Sequence, residues 1–253
     1  MDMLKKMLRK IRNAILWVFK KSECPICHAH FDEYLQTGTS AKVWEQYGGV
    51  GAGVRKAICP VCHSSDRERL VYLFFRDYYF TGNKNKHVKF LHIAPESNLS
   101  KYLMTHPNVE YMAGDKRCEG YSYPEYVRDV DIMDLHDIFD NTYDVVVCNH
   151  VLEHVPDDIV AMKELRRVLK HDGFAVLQVP YALKLEKTFE DNILTEAARF
   201  DAYGQADHVR LYGMDYHERL KIAGFNVEVL DIVRNYPKKY GLNPNEKLFL
   251  CRK

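Results

Sequence analysis

Along residues 88–251 the hydrophobic positions switch repeatedly between two spacings. Short runs rich in β-branched and aromatic residues, at 88–93, 109–113, 127–130, 143–148, 174–179, 225–231 and 247–251, read as strands. Between them, at 99–104, 157–169 and 215–223, apolar residues recur at three- and four-residue steps and read as helices. This alternation predicts an α/β fold: a doubly wound, mainly parallel sheet covered by helices on both faces. Right-handed crossovers bring the strand ends to one edge, where ligands of such sheets bind.

The pattern before residue 88 differs. Ser65-Asp66-Arg67-Glu68-Arg69 leads into Leu70, Leu73, Phe74 and Tyr78, a capped helix over 66–86 expected to link a small module at 22–65 to the core at 87–253. Residues 1–21 set Met3, Leu4, Met7, Leu8, Ile11, Ile15, Val18 and Phe19 at helical steps, with basic residues mostly in between, which predicts a basic amphipathic helix. Its unbroken apolar run, 14–19, is too short for a secretory core or a membrane span, and no small-residue cleavage site follows. Two covers fit the apolar face equally: an anionic membrane surface, giving peripheral contact, or protein.

Cysteines change the picture next. Cys24-Pro25-Ile26-Cys27 and Cys59-Pro60-Val61-Cys62 are two knuckles of one design, and four thiolates so spaced can converge on a tetrahedral Zn²⁺. A redox role would need one pair only. The gap between the pairs exceeds the ~15–20 residues of the common double knuckle. Phe31, Tyr34, Val43, Trp44, Tyr47 and the glycine-rich 48–53 make it a folded insert with a turn, as in a zinc ribbon with an extended hairpin. His28 and His63 follow the knuckles and read as exposed loop residues, with ligation the alternative. Four sulfur ligands leave no open position, so the expected metal is structural.

Composition sets limits. The chain has 253 residues, 47% hydrophobic and 28% charged, with a formal charge of +1, which are ordinary globular values. Cys118, Cys148 and Cys251 are scattered, so no disulfide framework emerges and a reducing, cytoplasmic setting is expected. Through Lys21 there are seven basic residues against Asp2 alone, giving +6 and leaving −5 for the remainder. Nucleic acid is therefore not an expected partner of the core.

The stretch Tyr143-Asp144-Val145-Val146-Val147-Cys148-Asn149-His150-Val151-Leu152-Glu153-His154-Val155-Pro156-Asp157 resembles the fourth strand and following loop of class I S-adenosylmethionine-dependent methyltransferases. Leu165-Arg166-Arg167-Val168-Leu169-Lys170, Asp172-Gly173-Phe174, 176–180 and Ala223-Gly224-Phe225 fit the family's later elements in order. The resemblance covers about 88–251 and implies a Rossmann-like, seven-stranded methyltransferase that takes S-adenosylmethionine. The module and its arginine-bearing helix are similar to a bacterial subgroup linked with surface polysaccharide synthesis, which implies a small-molecule or glycan-type acceptor.

The cofactor loop departs from that family. Leu91-His92-Ile93-Ala94-Pro95-Glu96-Ser97-Asn98 puts His92 at the acidic position and Ala94, Glu96 and Asn98 at the three glycines. Ala94 is small, Pro95 forms turns and Asn98 tolerates the left-handed region, so the turn can survive. A carboxylate at Glu96 would repel dinucleotide phosphates but attract a sulfonium or ammonium. Asp115 falls where a carboxylate accepts ribose hydroxyls. By the resemblance, Asp131 and Ile132 face the adenine, with Asp131 as a simple cap the alternative, and Cys148, Asn149 and His150 stand beside the methyl donor.

A hydroxyl acceptor benefits from a base, and histidine is the usual candidate. The resemblance places a similar His-x-Arg segment near the active-site mouth, which makes His208, in Asp207-His208-Val209-Arg210, the expected base, with His150 also a candidate and Arg210 orienting an anionic acceptor. His154 reads as a hydrogen-bonded structural histidine. An RNA or protein methyltransferase using the ribbon for recognition, and a noncatalytic scaffold, are the alternatives. Co-sedimentation with anionic liposomes checks the N-terminal segment: the full chain should pellet and a chain lacking residues 1–21 should not, whereas equal binding by both removes the membrane reading.

Overall fold

The computed structural model describes residues 20–82, 86–117, 122–193 and 195–253. Most of the basic amphipathic segment, 1–19, lies outside them. No helix among the described residues is long and apolar enough to cross a membrane.

Seven strands form the central sheet: β1 Val88–Ile93, β2 Val109–Asp115, β3 Val127–Asp129, β4 Tyr143–Asn149, β5 Leu169–Gln178, β6 Asn226–Leu230 and β7 Leu248–Arg252. Their order is β6-β7-β5-β4-β1-β2-β3. From β3 to β5 all pairings are parallel, while β7 runs antiparallel to both β5 and β6. This is the doubly wound, mainly parallel fold expected from the alternating pattern. Strand order reverses between β1 and β4, and the register sets Cys148 beside both Ile93 and Leu177 there. That reversal opens the crevice where ligands of such sheets sit.

The helices are α1 Lys42–Tyr47, α2 Asp66–Phe74, α3 Ser97–Thr105, α4 Asp158–Val168, α5 Glu196–Tyr203 and α6 Tyr216–Ile222. All seven residues of β4 are buried, as a strand covered on both faces requires. Val146 and Cys148 pack with Ala161, Met162 and Leu165 of α4 and Leu220 of α6, whereas Val145 and Val147 pack with Leu70, Leu73 and Leu99 of α2 and α3. The segment read as a link is thus a layer of the fold. Ser65 caps α2 by accepting from the Glu68 N–H, and Phe75, just past the helix, meets Phe90 at 5.3 Å between ring centroids.

Before α2, Ser22–Glu23 pairs with His30–Phe31 and Leu35–Thr37 with Arg55–Ile58. The glycine-rich stretch does more than the turn expected of it. Gly49–Val50 forms an antiparallel pair with Tyr181–Ala182, just past β5, and so ties the module to the ligand edge of the sheet. At the other side, the fully buried Arg69 donates to the carbonyls of Ser64, Tyr240 and Gly241 at 2.7–2.9 Å and lies 4.1 Å from the Tyr34 ring centroid.

One buried charge network governs the α4 entrance. Asp158 accepts from Arg219 at 2.8 and 2.5 Å and from the Tyr212 hydroxyl at 2.7 Å. Burial opposes its charge, but Arg219, Arg210 and Tyr212 hold its pKa below the ordinary value. Its stabilisation is therefore complete above the usual carboxylate range and lost as pH falls through the depressed folded value. Asp158→Asn is expected to lower stability at neutral pH by about 3 kcal/mol in urea unfolding, and to shrink the stability lost on acidification below about pH 4.

Candidate cofactor and acceptor site

The ends of β1, β2 and β4 carry the first group of side chains. After β1 the chain turns through Ala94 at φ +47°, and the Ala94 N–H donates to the Gly114 carbonyl at 2.8 Å. The left-handed residue is therefore Ala94 and not Asn98. Asn98 lies in the first turn of α3, where its N–H and that of Leu99 donate to Glu68 Oε1 at 2.8 and 2.9 Å. Free N–H groups at a helix start favour such a carboxylate. The Asn98 side chain also donates to the Cys62 carbonyl at 3.2 Å, linking the second knuckle to the loop after β1.

His92 is fully buried, with Nδ1 2.9 Å from the Tyr111 hydroxyl and Nε2 2.9 Å from Glu96 Oε2. Asn149 Nδ2 donates to Glu96 Oε1 at 3.1 Å, and Asn149 Oδ1 is buried without a partner. Burial opposes the Glu96 charge, yet His92 and Asn149 hold its pKa below normal. Asp115 ends β2 half-buried, its pKa raised by burial with Asp129 adding to the effect. Cys148 is fully buried, and burial pushes its thiol well up. Asp131 accepts from Lys116 at 2.7 Å and from the Met133 N–H at 2.9 Å, a capping arrangement, and Ile132 is buried behind it.

A cavity of about 240 Å³ opens between the module and the ends of β4 and β5. Trp44, Gly51 and Arg67 line it from the N-terminal side, and His150, Glu153, His154 and His208 from the sheet side. Two glycines permit this closeness. A Cβ on Gly204 would stand 1.9 Å from Trp44 Nε1, and one on Gly51 would stand 3.0 Å from the His150 ring.

His150 holds φ +55° and has both ring nitrogens buried without a hydrogen-bond partner, although Nδ1 lies 3.4 Å from Glu153 Oε1. Burial, aided by Arg67, lowers its pKa to about 4, so it is neutral at physiological pH. Burial also lowers that of His208, whose Nδ1 lies 3.3 Å from the Tyr203 carbonyl. Burial opposes charge on His154 as well, but Asp207 at 3.2 Å raises its pKa. Burial opposes charge on Glu153, while its contact with His150 and the nearness of His154 and His208 pull its pKa down.

Arg210 is not placed to orient an acceptor. Fully buried, it donates to Glu190 at 2.6 Å and to the carbonyls of Leu152, Val155 and Pro156 at 2.6–2.9 Å, holding the loop after β4 from behind. Of the two arginines that line the cavity, Arg55 is paired with Asp66 at 2.7 and 2.9 Å, whereas Arg67 has its Nε buried without a partner. Arg67 and Glu68 were legible only as helix-entry charges. What marks them is their place a few residues after a knuckle, in the charged head of a helix whose later residues, 70–74, are mostly apolar.

The four module sulfurs lie within 4.8 Å of one another, with Cys24–Cys62 at 3.7 Å and Cys27–Cys59 at 3.8 Å. Sulfurs ~2.3 Å from one tetrahedral ion would stand about 3.8 Å apart, whereas a disulfide needs ~2.05 Å. The two knuckles close alike: His28 and His63 take φ +57° and +59° and donate N–H to the Cys24 and Cys59 carbonyls at 2.9 and 3.0 Å. Both imidazoles are exposed.

Residues 101–177, from within α3 nearly to the end of β5, match the family model of a methyltransferase domain. The chain carries a methyltransferase domain on the doubly wound sheet. No curated protein matches it. Solved structures with a similar course include an S-adenosylmethionine-dependent methyltransferase from Archaeoglobus fulgidus, 15% identical over 73% of this chain and 93% of that one, TM-score 0.46. PigF, solved with S-adenosylhomocysteine, is 17% identical over 73% and 61%, TM-score 0.46. The YcgJ protein of Bacillus subtilis is 18% identical over 59% and 67%, TM-score 0.40. These likenesses are distant, and the assignment rests on the family match.

The sulfur cluster can be tested directly. Cobalt-loaded protein is expected to show sulfur-to-metal charge-transfer absorption that disappears in both Cys24→Ser and Cys59→Ser, while an undiminished band in both variants would exclude a shared site.

Proposed function

We propose that the protein transfers a methyl group from S-adenosylmethionine to a hydroxyl of a small-molecule or glycan-type acceptor held in the cavity between module and sheet. The observation that carries this reading is adjacency: Asn149, in the group at the cofactor edge, is followed directly by His150, which lines the cavity. S-adenosylmethionine, when bound, supplies a methyl group on a positively charged sulfur. The residues fit such a ligand. Glu96 is a carboxylate at the strand ends, and the unpartnered Asn149 Oδ1 is an acceptor for an ammonium. Asp115 supplies the carboxylate for two ribose hydroxyls. Asp131 and Ile132 are assigned to the adenine by sequence alone, since Asp131 already caps its own turn.

On the acceptor side, a 240 Å³ cavity is smaller than the ~300–1,000 Å³ of clefts for drug-sized ligands, which suits one small group rather than a threaded strand. Trp44 offers an aromatic surface among hydroxyl, amide and charged neighbours, a lining suited to a sugar-like group. Arg67, with an unpartnered Nε, would hold an anionic substituent. The neutral imidazoles of His150 and His208 are the groups able to receive the acceptor proton. Alignment of acceptor oxygen, methyl carbon and sulfur supplies much of the remaining rate.

The sulfur cluster is assigned a structural Zn²⁺. With four thiolates it would have no open position, and its role would be to hold the module over the cavity. Peripheral membrane contact through residues 1–21 rests on their basic amphipathic pattern.

Calorimetric titration with S-adenosylmethionine tests the reading. Saturable binding is expected, weakened about 10- to 150-fold in Asp115→Ala, because a hydrogen bond to a charged group contributes ~1.5–3 kcal/mol. Absence of binding by the folded, zinc-loaded chain would overturn it.

A further inference from the structure

The cavity contains a second group of potential metal ligands, unrelated to the module sulfurs. Glu153, His154 and His208 each offer a ligand atom, and these three atoms lie within 4.8 Å of one another. We propose that they form a binding site for a divalent transition-metal ion with open coordination positions facing the cavity.

The orientation of both imidazoles supports this assignment. A metal-bound histidine usually donates its other ring N–H to a carboxylate or a backbone carbonyl, which fixes the tautomer and aims the ligating nitrogen. His154 has Nδ1 3.2 Å from Asp207 Oδ2, and His208 has Nδ1 3.3 Å from the Tyr203 carbonyl. Both rings are thereby committed at Nδ1, which leaves Nε2 as the lone-pair nitrogen. His154 Nε2 stands 3.9 Å from Glu153 Oε1, too far for a hydrogen bond.

Glu153 provides an independent observation. Its side chain is 2% exposed, and Oε2 is buried with no partner. A carboxylate oxygen buried with no partner is unfavourable unless a donor or a cation satisfies it. Arg210 and Arg219 are engaged with Glu190, Asp158 and loop carbonyls. Arg67 lines the same cavity and donates from Nη1 to the Gly51 carbonyl at 3.5 Å.

Two imidazoles and one carboxylate are the ligand set of catalytic zinc sites and of non-haem iron sites, which keep positions open for water or substrate. Ligands ~2.1 Å from a tetrahedral ion lie about 3.4 Å apart. The set is therefore open by roughly an ångström, a movement that rotation of the half-exposed His154 side chain supplies. The ion would stand where an acceptor hydroxyl enters, beside His150, and would polarise that hydroxyl; with both nitrogens of His208 then engaged, His150 is the group left to take the acceptor proton. Metal binding itself does not depend on the acceptor's identity or on methyl transfer.

The test is titration of the zinc-loaded full chain with Co²⁺, followed by visible absorption. Imidazole and carboxylate ligands give ligand-field bands without the sulfur charge-transfer absorption of the module site, so the two are read separately. The expected result is saturation at one equivalent with ligand-field bands alone. Binding should be lost in Glu153→Gln and in His154→Gln, and weakened ~10- to 100-fold in Asp207→Asn, which removes only the orienting partner. Urea unfolding of each variant separates loss of the site from loss of the fold, and the His154 variant, altered at the cavity rim, decides the matter where the buried Glu153 variant does not fold. Sulfur charge-transfer absorption alone, or ligand-field bands undiminished in the folded variants, would overturn the assignment.

Discussion

The pairing of Gly49–Val50 with Tyr181–Ala182 sets the height at which the module sits over the sheet edge, and the cavity is a product of that height. The chain leaving β5 presents unpaired backbone groups that need partners. By supplying them, the module brings Trp44 against Gly204 and Gly51 against His150. The module has little core of its own. Its buried cluster consists of Phe31 and Tyr34 with Cys24 and Cys59, so the sulfur centre and the contacts with the larger domain must together hold it.

Electrostatics divides the edge in two. Glu96 and Asp115 stand at the ends of β1 and β2, where a positively charged ligand is favoured, and Arg67 stands across the cavity from Glu153. Glu68 joins these regions, because one carboxylate receives the first N–H groups of α3 and the Asn98 side chain, while Asn98 also reaches the Cys62 carbonyl. Module position and the shape of the loop after β1 are therefore mechanically coupled through a single residue of α2.

The sheet was legible because each strand carries a local signal. The apolar run of β4 and the helical spacing of α4 place both elements within a residue or two of their observed bounds. Contacts between distant segments were not legible. Nothing in Gly48-Gly49-Val50 announces a partner more than a hundred residues away, so the segment reads as a turn. The loop after β1 shows a subtler difference: general residue preference favours Asn98 for the left-handed position, but a helix start stabilised by Glu68 claims Asn98 and leaves the strained position to Ala94. Arg210 illustrates the opposite error, since a cation near histidines suggests a ligand although its bonds all go to Glu190 and loop carbonyls. At the candidate site, His150 and His208 do line the cavity, and Arg67 beside them emerges only once α2 is seen packed against the sheet.

Arg69 joins the carbonyl after the second knuckle to those of Tyr240 and Gly241, in the segment between β6 and β7. During synthesis the module leaves the ribosome early, yet the carbonyls that anchor Arg69 are translated roughly 170 positions later. Until then a guanidinium destined for complete burial has only the Ser64 carbonyl to bind. The sulfur knuckles can close on the nascent chain, but their final seating against the sheet has to wait for the segment between β6 and β7 that carries these carbonyls.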